Sequence, residues 1–165
     1  IRPARHEDLP FLQTLWNDGA VMRHQGYPDG MHATGADMER WWQTAQRAHR
    51  GIPSLPTPHA IIETIDGTPL GELSYAIDAK DRASLDVKMA PACWKKGYAA
   101  EALRVFLREV FATAGVKKII VEPSPDNAAA LKLLERNGFH PTPTENHPNR
   151  WECERQDFAD ALTGF

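Results

Sequence analysis

Cysteine is scarce in this chain of 165 residues: Cys93 and Cys153 are the only two, and they form no C-x-x-C or zinc-ligand spacing. So few thiols exclude a disulfide scaffold and suit a reducing, cytoplasmic compartment in which both are expected to stay free. A basic excess is also missing. Nineteen Lys and Arg stand against 22 Asp and Glu, a formal charge of -3, so no global field draws the chain to nucleic acid or to an anionic membrane, and any anion site must be local. No apolar run approaches the roughly 20 residues of a membrane span, and no charged leader with an apolar segment opens the chain. The seven histidines include no i, i+4 pair, which leaves a metal site without support. Repeats and low-complexity tracts are absent too. What is present is 42% hydrophobic and 25% charged, and its length fits one globular domain spanning residues 1–165. Ile1 is expected to begin inside a strand, with a few native residues ahead of it.

Periodicity divides the chain. Leu9, Phe11, Leu12, Leu15 and Trp16 fall at helical spacing, with Pro10 tolerable in a first turn, so the stretch from His6 to Asp18 reads as a helix. Tyr-Pro-Asp-Gly at 27–30 is a turn. Thr34 and Asp37 then resemble a capping box, and Met38, Trp41, Trp42 and Ala45 continue a second amphipathic helix to about Arg50. GIPSLPTP (51–58) reads as a surface connection. HAIIETI (59–65), LGELSYAID (70–78) and ASLDVKMAP (83–91) are short alternating or β-branched runs between turn residues, an antiparallel meander. From Gly97 the period becomes helical, with Leu103, Phe106, Leu107, Val110 and Phe111 on one face and Gly115 as the stop. KKIIVEP (117–123) reads as a strand covered on both faces. Asn127 caps a helix that Gly138 ends, and the runs around FHPTPT and RWECERQDF read as a final hairpin.

PACWKKGYAAEAL (91–103) carries the first functional signal. A strand, then KKGYA, then a helix sets free backbone N–H groups at the positive end of a helix, and Gly97 and Ala99 leave room for another molecule to approach. Such a turn can cradle a pyrophosphate. Its spacing is neither the triphosphate loop nor the dinucleotide fingerprint. An ordinary solvated helix start with two surface lysines has the same sequence.

Read with SPDNAAALKLLERNGF (124–139), this stretch resembles the GNAT superfamily of acetyl-CoA-dependent N-acetyltransferases. The family's [RQ]-x-x-G-x-[GA] aligns with Trp94, Lys95, Lys96, Gly97, Tyr98 and Ala99. Its later N-x-x-A-x-x-L-Y-E-x-x-G-F aligns with Asn127, Ala130, Leu133, Leu134, Glu135, Gly138 and Phe139. The two motifs lie in the family's order, about thirty residues apart. The resemblance covers most of the chain and implies an α+β fold, a mixed, mostly antiparallel twisted sheet flanked by about four helices. It implies acetyl-CoA as co-substrate, with no metal. Coenzyme contacts fall to Val87, Lys88 and Met89 on the preceding strand, to residues 94–99, and to Asn127, Ala130, Leu133 and Arg136. Trp94 departs from the usual Gln or Arg and resembles the branch that includes ribosomal-protein N-terminal acetyltransferases and small-molecule enzymes. Leu134 stands where the family often carries a tyrosine that protonates the departing thiolate.

An amine acceptor arrives as an ammonium and must lose a proton before attack. By analogy with the family, Asp86 and Glu72 are the carboxylates placed to take it, directly or through water, and a backbone N–H near Lys88 and Met89 would face the oxyanion. Ser124, water or unassisted departure replaces the missing tyrosine. Asn127 has a capping role and, by resemblance, a ligand role. The acceptor is expected near Trp16, Asp18, Arg23, His24, Tyr27 and Asp29, with Glu145, Asn146 and His147 opposite. VEPSPDNAAALKLLERNGF and the hairpin are also similar to aminoglycoside 6'-N-acetyltransferases, so the acceptor is a small-molecule amine or a peptide N-terminus, and a homodimer fits many relatives. The rival reading is a catalytically silent acyl-CoA sensor or interaction module.

Overall fold

The polypeptide folds around one seven-stranded sheet whose members are β1 (Arg2–Pro3), β2 (His59–Glu63), β3 (Pro69–Ile77), β4 (Arg82–Met89), β5 (Lys118–Val121), β6 (His140–Pro141) and β7 (Trp151–Glu154). This computed structural model describes residues 1–45, 51–113 and 115–163. The strand order is β1-β2-β3-β4-β5-β7-β6. Only β4 and β5 are parallel; every other pair is antiparallel. The meander expected over 59–91 is β2, β3 and β4. Its β3–β4 pair runs in continuous register from Gly71 opposite Met89 to Ile77 opposite Ala83.

Among the described residues six α-helices accompany the sheet: α1 (Leu9–Asn17), α2 (Gly19–Met22), α3 (Gly35–Ala45), α4 (Tyr98–Thr113), α5 (Ala128–Glu135) and α6 (Arg155–Thr163). Because strand side chains alternate, the sheet offers two apolar faces. On one, Leu73, Tyr75, Ala83, Ile119 and Cys153 meet Leu103, Phe106, Leu107 and Val110 of α4. On the other, Ile61 meets Leu12, Leu15 and Trp16 of α1, with Met38 of α3 behind. The predicted capping box holds, since Thr34 and Asp37 exchange hydrogen bonds at the head of α3. The expected continuation of this helix from residue 46 to Arg50 lies outside the described residues.

Two expectations are corrected. GIPSLPTP is no surface connection: Ile52 and Leu55 are each 1% exposed, the Ile52 N–H donates to the Tyr75 hydroxyl at 3.0 Å, and that hydroxyl donates to the Leu55 carbonyl. Two apolar side chains and one buried phenol are enough to draw a proline-rich strap into the core. The final run is a strand only as far as Glu154. There the Glu154 N–H donates to the Asp157 carboxylate at 2.8 Å, a capping bond, and α6 begins, seating buried Phe158 beside Phe111. Cys93 and Cys153 are free thiols, and burial pushes the Cys153 thiol up to about 12. Among the described residues no helix is long and apolar enough to cross a membrane.

Close approach of β3 to β4 explains one glycine that the sequence does not flag. A Cβ at Gly71 would lie 2.3 Å from the Lys88 carbonyl and 2.7 Å from the Met89 sulfur. Gly71→Ala is therefore expected to destabilise the protein by about 1–3 kcal/mol, read as a lower urea midpoint at unchanged slope.

Candidate active site

β4 and β5 stay together for only three residue pairs, Arg82 with Lys118, Ala83 with Ile119 and Ser84 with Ile120. Beyond Ser84, β4 runs on to Met89 while β5 stops at Val121. The reason is covalent: Pro123 and Pro125 follow Glu122, and neither has an N–H to continue a ladder. A gap opens inside the sheet. The Ala90 N–H donates to the Leu70 carbonyl at 2.9 Å, so by antiparallel alternation Lys88 and Asp86 turn their main-chain groups toward β3. Val87 and Met89 turn theirs into the gap.

Past Met89 the chain makes a 3-10 turn, Pro91–Cys93, and reaches α4 through Trp94 to Gly97. Lys95 and Gly97 both take positive φ, 60° and 87°. The first amide to join the helical ladder is that of Glu101, which donates to the Gly97 carbonyl at 3.1 Å. Among the described residues the amides from Lys95 to Ala100 have no acceptor, and a Cβ on Gly97 would meet nothing within 4 Å. The turn is thus an open concavity lined with N–H donors beside a helix N-terminus, which fits a pyrophosphate. Lys95 and Lys96 are exposed around it.

The two candidate bases sit in different surroundings. Glu72 is 1% exposed. Its carboxylate accepts from the Trp16 indole at 2.7 Å, pairs with His59 Nδ1 at 2.7 Å and lies 3.7 Å from Lys88 Nζ. Burial opposes its ionisation, but the His59 bond, the Lys88 charge and the Trp16 bond outweigh that and hold the carboxyl below the usual glutamate range. Asp86 is more open, and it touches Lys88 and accepts from the Gln25 amide at 3.1 Å. Lys88 is half-buried between these acids; burial would lower its affinity for a proton, yet Asp86 and Glu72 raise it.

Beside the gap, on the α1 side of the sheet, lies a cavity of about 620 Å³ whose lining includes Ser84, Leu85, Ile120, Glu122, His147 and Arg150. His147 was expected here, and its Nδ1 lies 2.8 Å from the Glu122 carboxylate. Glu122, Ser84 and Arg150 were missed; their signal was alternation on strands whose register the sequence does not fix. The 3-10 turn Arg23–Gln25 is not part of this lining but meets both edges of the gap. Gln25 reaches Asp86 on β4, and His24 Nδ1 lies 3.3 Å from Asp126 in the loop after β5. Of the other acceptor candidates, Trp16 is buried with its N–H on Glu72, and Asp18 caps α2 through the amides of Ala20 and Val21. Tyr27 and Asp29 are exposed.

On the far wall, Asn127 caps α5 by accepting from the Ala130 amide at 3.1 Å, which leaves its NH2 as the group able to donate to a ligand. Ser124 hydrogen-bonds to Asp126. Leu133 is half-buried, Arg136 is exposed, and Leu134 is buried in the main core. Among the described residues no group of three or more His, Cys, Asp or Glu could hold a metal ion.

Residues 1–140 match a family profile described as acetyltransferase (GNAT) domain. Among solved structures, aminoglycoside acetyltransferase AAC(6')-Ib in complex with coenzyme A is 20% identical, with 98% of each chain covered and a TM-score of 0.77. Spermidine N-acetyltransferase from Vibrio cholerae in complex with CoA and spermine is 18% identical, with 96% of each chain covered and a TM-score of 0.77. A GNAT-family acetyltransferase from Bacillus anthracis is 18% identical over 94% of each chain, with a TM-score of 0.74. At these identities the likeness is one of fold. A search of curated protein sequences found no match.

The Glu72 cluster predicts a pH signature. A carboxyl whose folded pKa is depressed stabilises fully above its unfolded value, near 4.3, and that contribution is lost as pH falls through the folded value. Glu72→Gln leaves Lys88 and His59 facing a neutral amide and should cost about 3 kcal/mol at pH 7. The gap between variant and wild type in urea unfolding should then narrow progressively as pH falls below about 4.3. A constant gap down to pH 3 would show that the charge contributes nothing.

Proposed function

The chain belongs to the acetyltransferase (GNAT) domain family, and from that membership we propose that it moves an acetyl group from acetyl-CoA to the primary amine of a small molecule, by direct transfer with both substrates bound together. The observation that carries this reading is the parting of β4 from β5 next to a turn of unpaired amides. Acetyl-CoA supplies an acetyl group already activated as a thioester. The amides of Lys95 to Ala99 would hold its pyrophosphate, and the inward N–H groups of Val87 and Met89 would hold the pantetheine arm and the reacting carbonyl in the gap. Asn127 Nδ2 faces the same ligand from the other wall.

Asp86 receives the proton of the acceptor ammonium, directly or through water. Glu72 works one step back, fixing Lys88, which in turn fixes Asp86. The cavity takes the body of the acceptor. Its carboxylates at Glu122 and Asp78, with Asp86 nearby, suit an amine, and Arg82 and Arg150 suit hydroxyl or carbonyl groups. The similar structures that contain kanamycin or spermine supply reasonable first probes. A peptide N-terminus is the next acceptor to try. With Leu134 in the core, no phenol stands at that helix position. The leaving thiolate takes its proton from water, or from Ser124 once it releases Asp126.

Calorimetric titration of acetyl-CoA tests the first half, with Gly97→Glu as the control that sets a carboxylate among the amides; wild type should bind and the variant should not. Thiol release with kanamycin, spermidine and a peptide panel tests the second half. Asp86→Asn should lower kcat/KM by about 10²–10⁴ with acetyl-CoA affinity unchanged. Coenzyme binding without thiol release from any amine would favour a silent acyl-CoA-binding module instead.

A further inference from the structure

The family motif places Gln or Arg at the position of Trp94, and the tryptophan has a specific partner. Its indole N–H donates to the Met89 carbonyl at 2.8 Å. That carbonyl ends β4 on the gap side, where β5 offers no partner. Within the span, the Cys93 N–H donates to the Ala90 carbonyl at 2.8 Å and the Trp94 N–H to the Pro91 carbonyl at 3.2 Å. Residues 89–94 therefore close on themselves through three bonds, one from a side chain. Trp94 is 43% exposed, so its N–H bond rather than burial is what it adds. Indole is a pure donor, which suits a lone carbonyl.

We propose that Trp94 is a positioning residue that braces the end of β4 against the phosphate turn. The inference rests on the acetyl-CoA reading. Two parts of one ligand are held by two sets of main-chain amides, Val87 and Met89 on the strand and Lys95 to Ala99 on the turn, joined only by the 90–94 segment. The angle between those sets decides whether one molecule can satisfy both, and a fixed angle removes an ordering cost on binding. Trp94 fixes it without touching the ligand.

Trp94→Phe removes the N–H and keeps a ring; Trp94→Gln restores a donor of similar reach. By calorimetry, Trp94→Phe should bind acetyl-CoA about 5- to 10-fold more weakly, the worth of one hydrogen bond. It should bind the isolated 3'-phospho-ADP half, which needs only the turn, as wild type does, and Trp94→Gln should recover most of the acetyl-CoA loss. In ligand-free protein, amide exchange over 90–97 should rise in Trp94→Phe and fall back in Trp94→Gln. Unchanged exchange in Trp94→Phe overturns the brace whatever the ligands do. Equal loss of acetyl-CoA and 3'-phospho-ADP also overturns it, making Trp94 a phosphate-side contact. Wild-type protein that binds neither ligand removes the coenzyme reading itself, a result distinct from wild-type binding that Trp94→Phe leaves intact.

Discussion

A strand edge in the middle of a sheet carries main-chain donors and acceptors that ordinarily meet a neighbour, and leaving them without one is costly. Here β5 gives out after Val121 because Glu122 is followed by Pro123 and Pro125, while β4 continues to Met89. The rest of the molecule is arranged around this half-finished ladder. On β4, the outer partner β3 is complete and in register, so the strand is held along its outer edge and its inner edge stays presented. The segment after β4 folds back at once, and Trp94 covers the last inward carbonyl. The inward N–H groups at Val87 and Met89 remain for something else to satisfy.

The register of β4 depends on what lies beneath it. Lys88 and Asp86 project to the α1 side, where Glu72 gathers Trp16 from α1, His59 from β2 and Lys88 from β4. One buried carboxylate thus ties a helix to three adjacent strands. A buried ion pair is weak as a source of stability, since desolvation offsets much of the attraction, but removing one member is costly. The arrangement therefore specifies register more than it adds stability: a one-residue slip of β4 would send Lys88 to the apolar α4 face and strip Glu72 of its lysine contact, leaving it only Trp16 and His59.

Much of this was legible in the residues. Apolar spacing located α1, α3 and α4, turn residues separated β2, β3 and β4, and Thr34 with Asp37 marked a helix start, because these are local properties of the chain. The KKGYA turn was legible for the same reason, as its chemistry is that of a main chain entering a helix. Hidden features depended on distant partners. Ile52 and Leu55 gave no periodic signal, since a strap is buried by what it lies against, here Tyr75. Glu72 and Asp86 looked alike in sequence, and only the pairing of β3 with β4 and the cover of Trp16 separate an enclosed carboxylate from an open one. The residues around the cavity come from strands and loops far apart in the chain, so Glu122 and Arg150 could be found only once β5 and β7 were in place.

The two halves of the site also differ in what they ask of the sequence. Amides presented by a turn and an open strand depend on main-chain geometry, here on Gly97 and the proline stop after β5, more than on side-chain identity. The proposed acceptor half is built from side chains that already have partners: Gln25 on Asp86, His147 on Glu122, and Arg82 on Asp78. An incoming amine therefore exchanges partners instead of filling a vacancy, and its affinity is a difference between two sets of charge-assisted bonds. An amine with a single contact gains little from such an exchange. In the proposed reading, an amine that displaces Gln25 and His147 together gains at both ends.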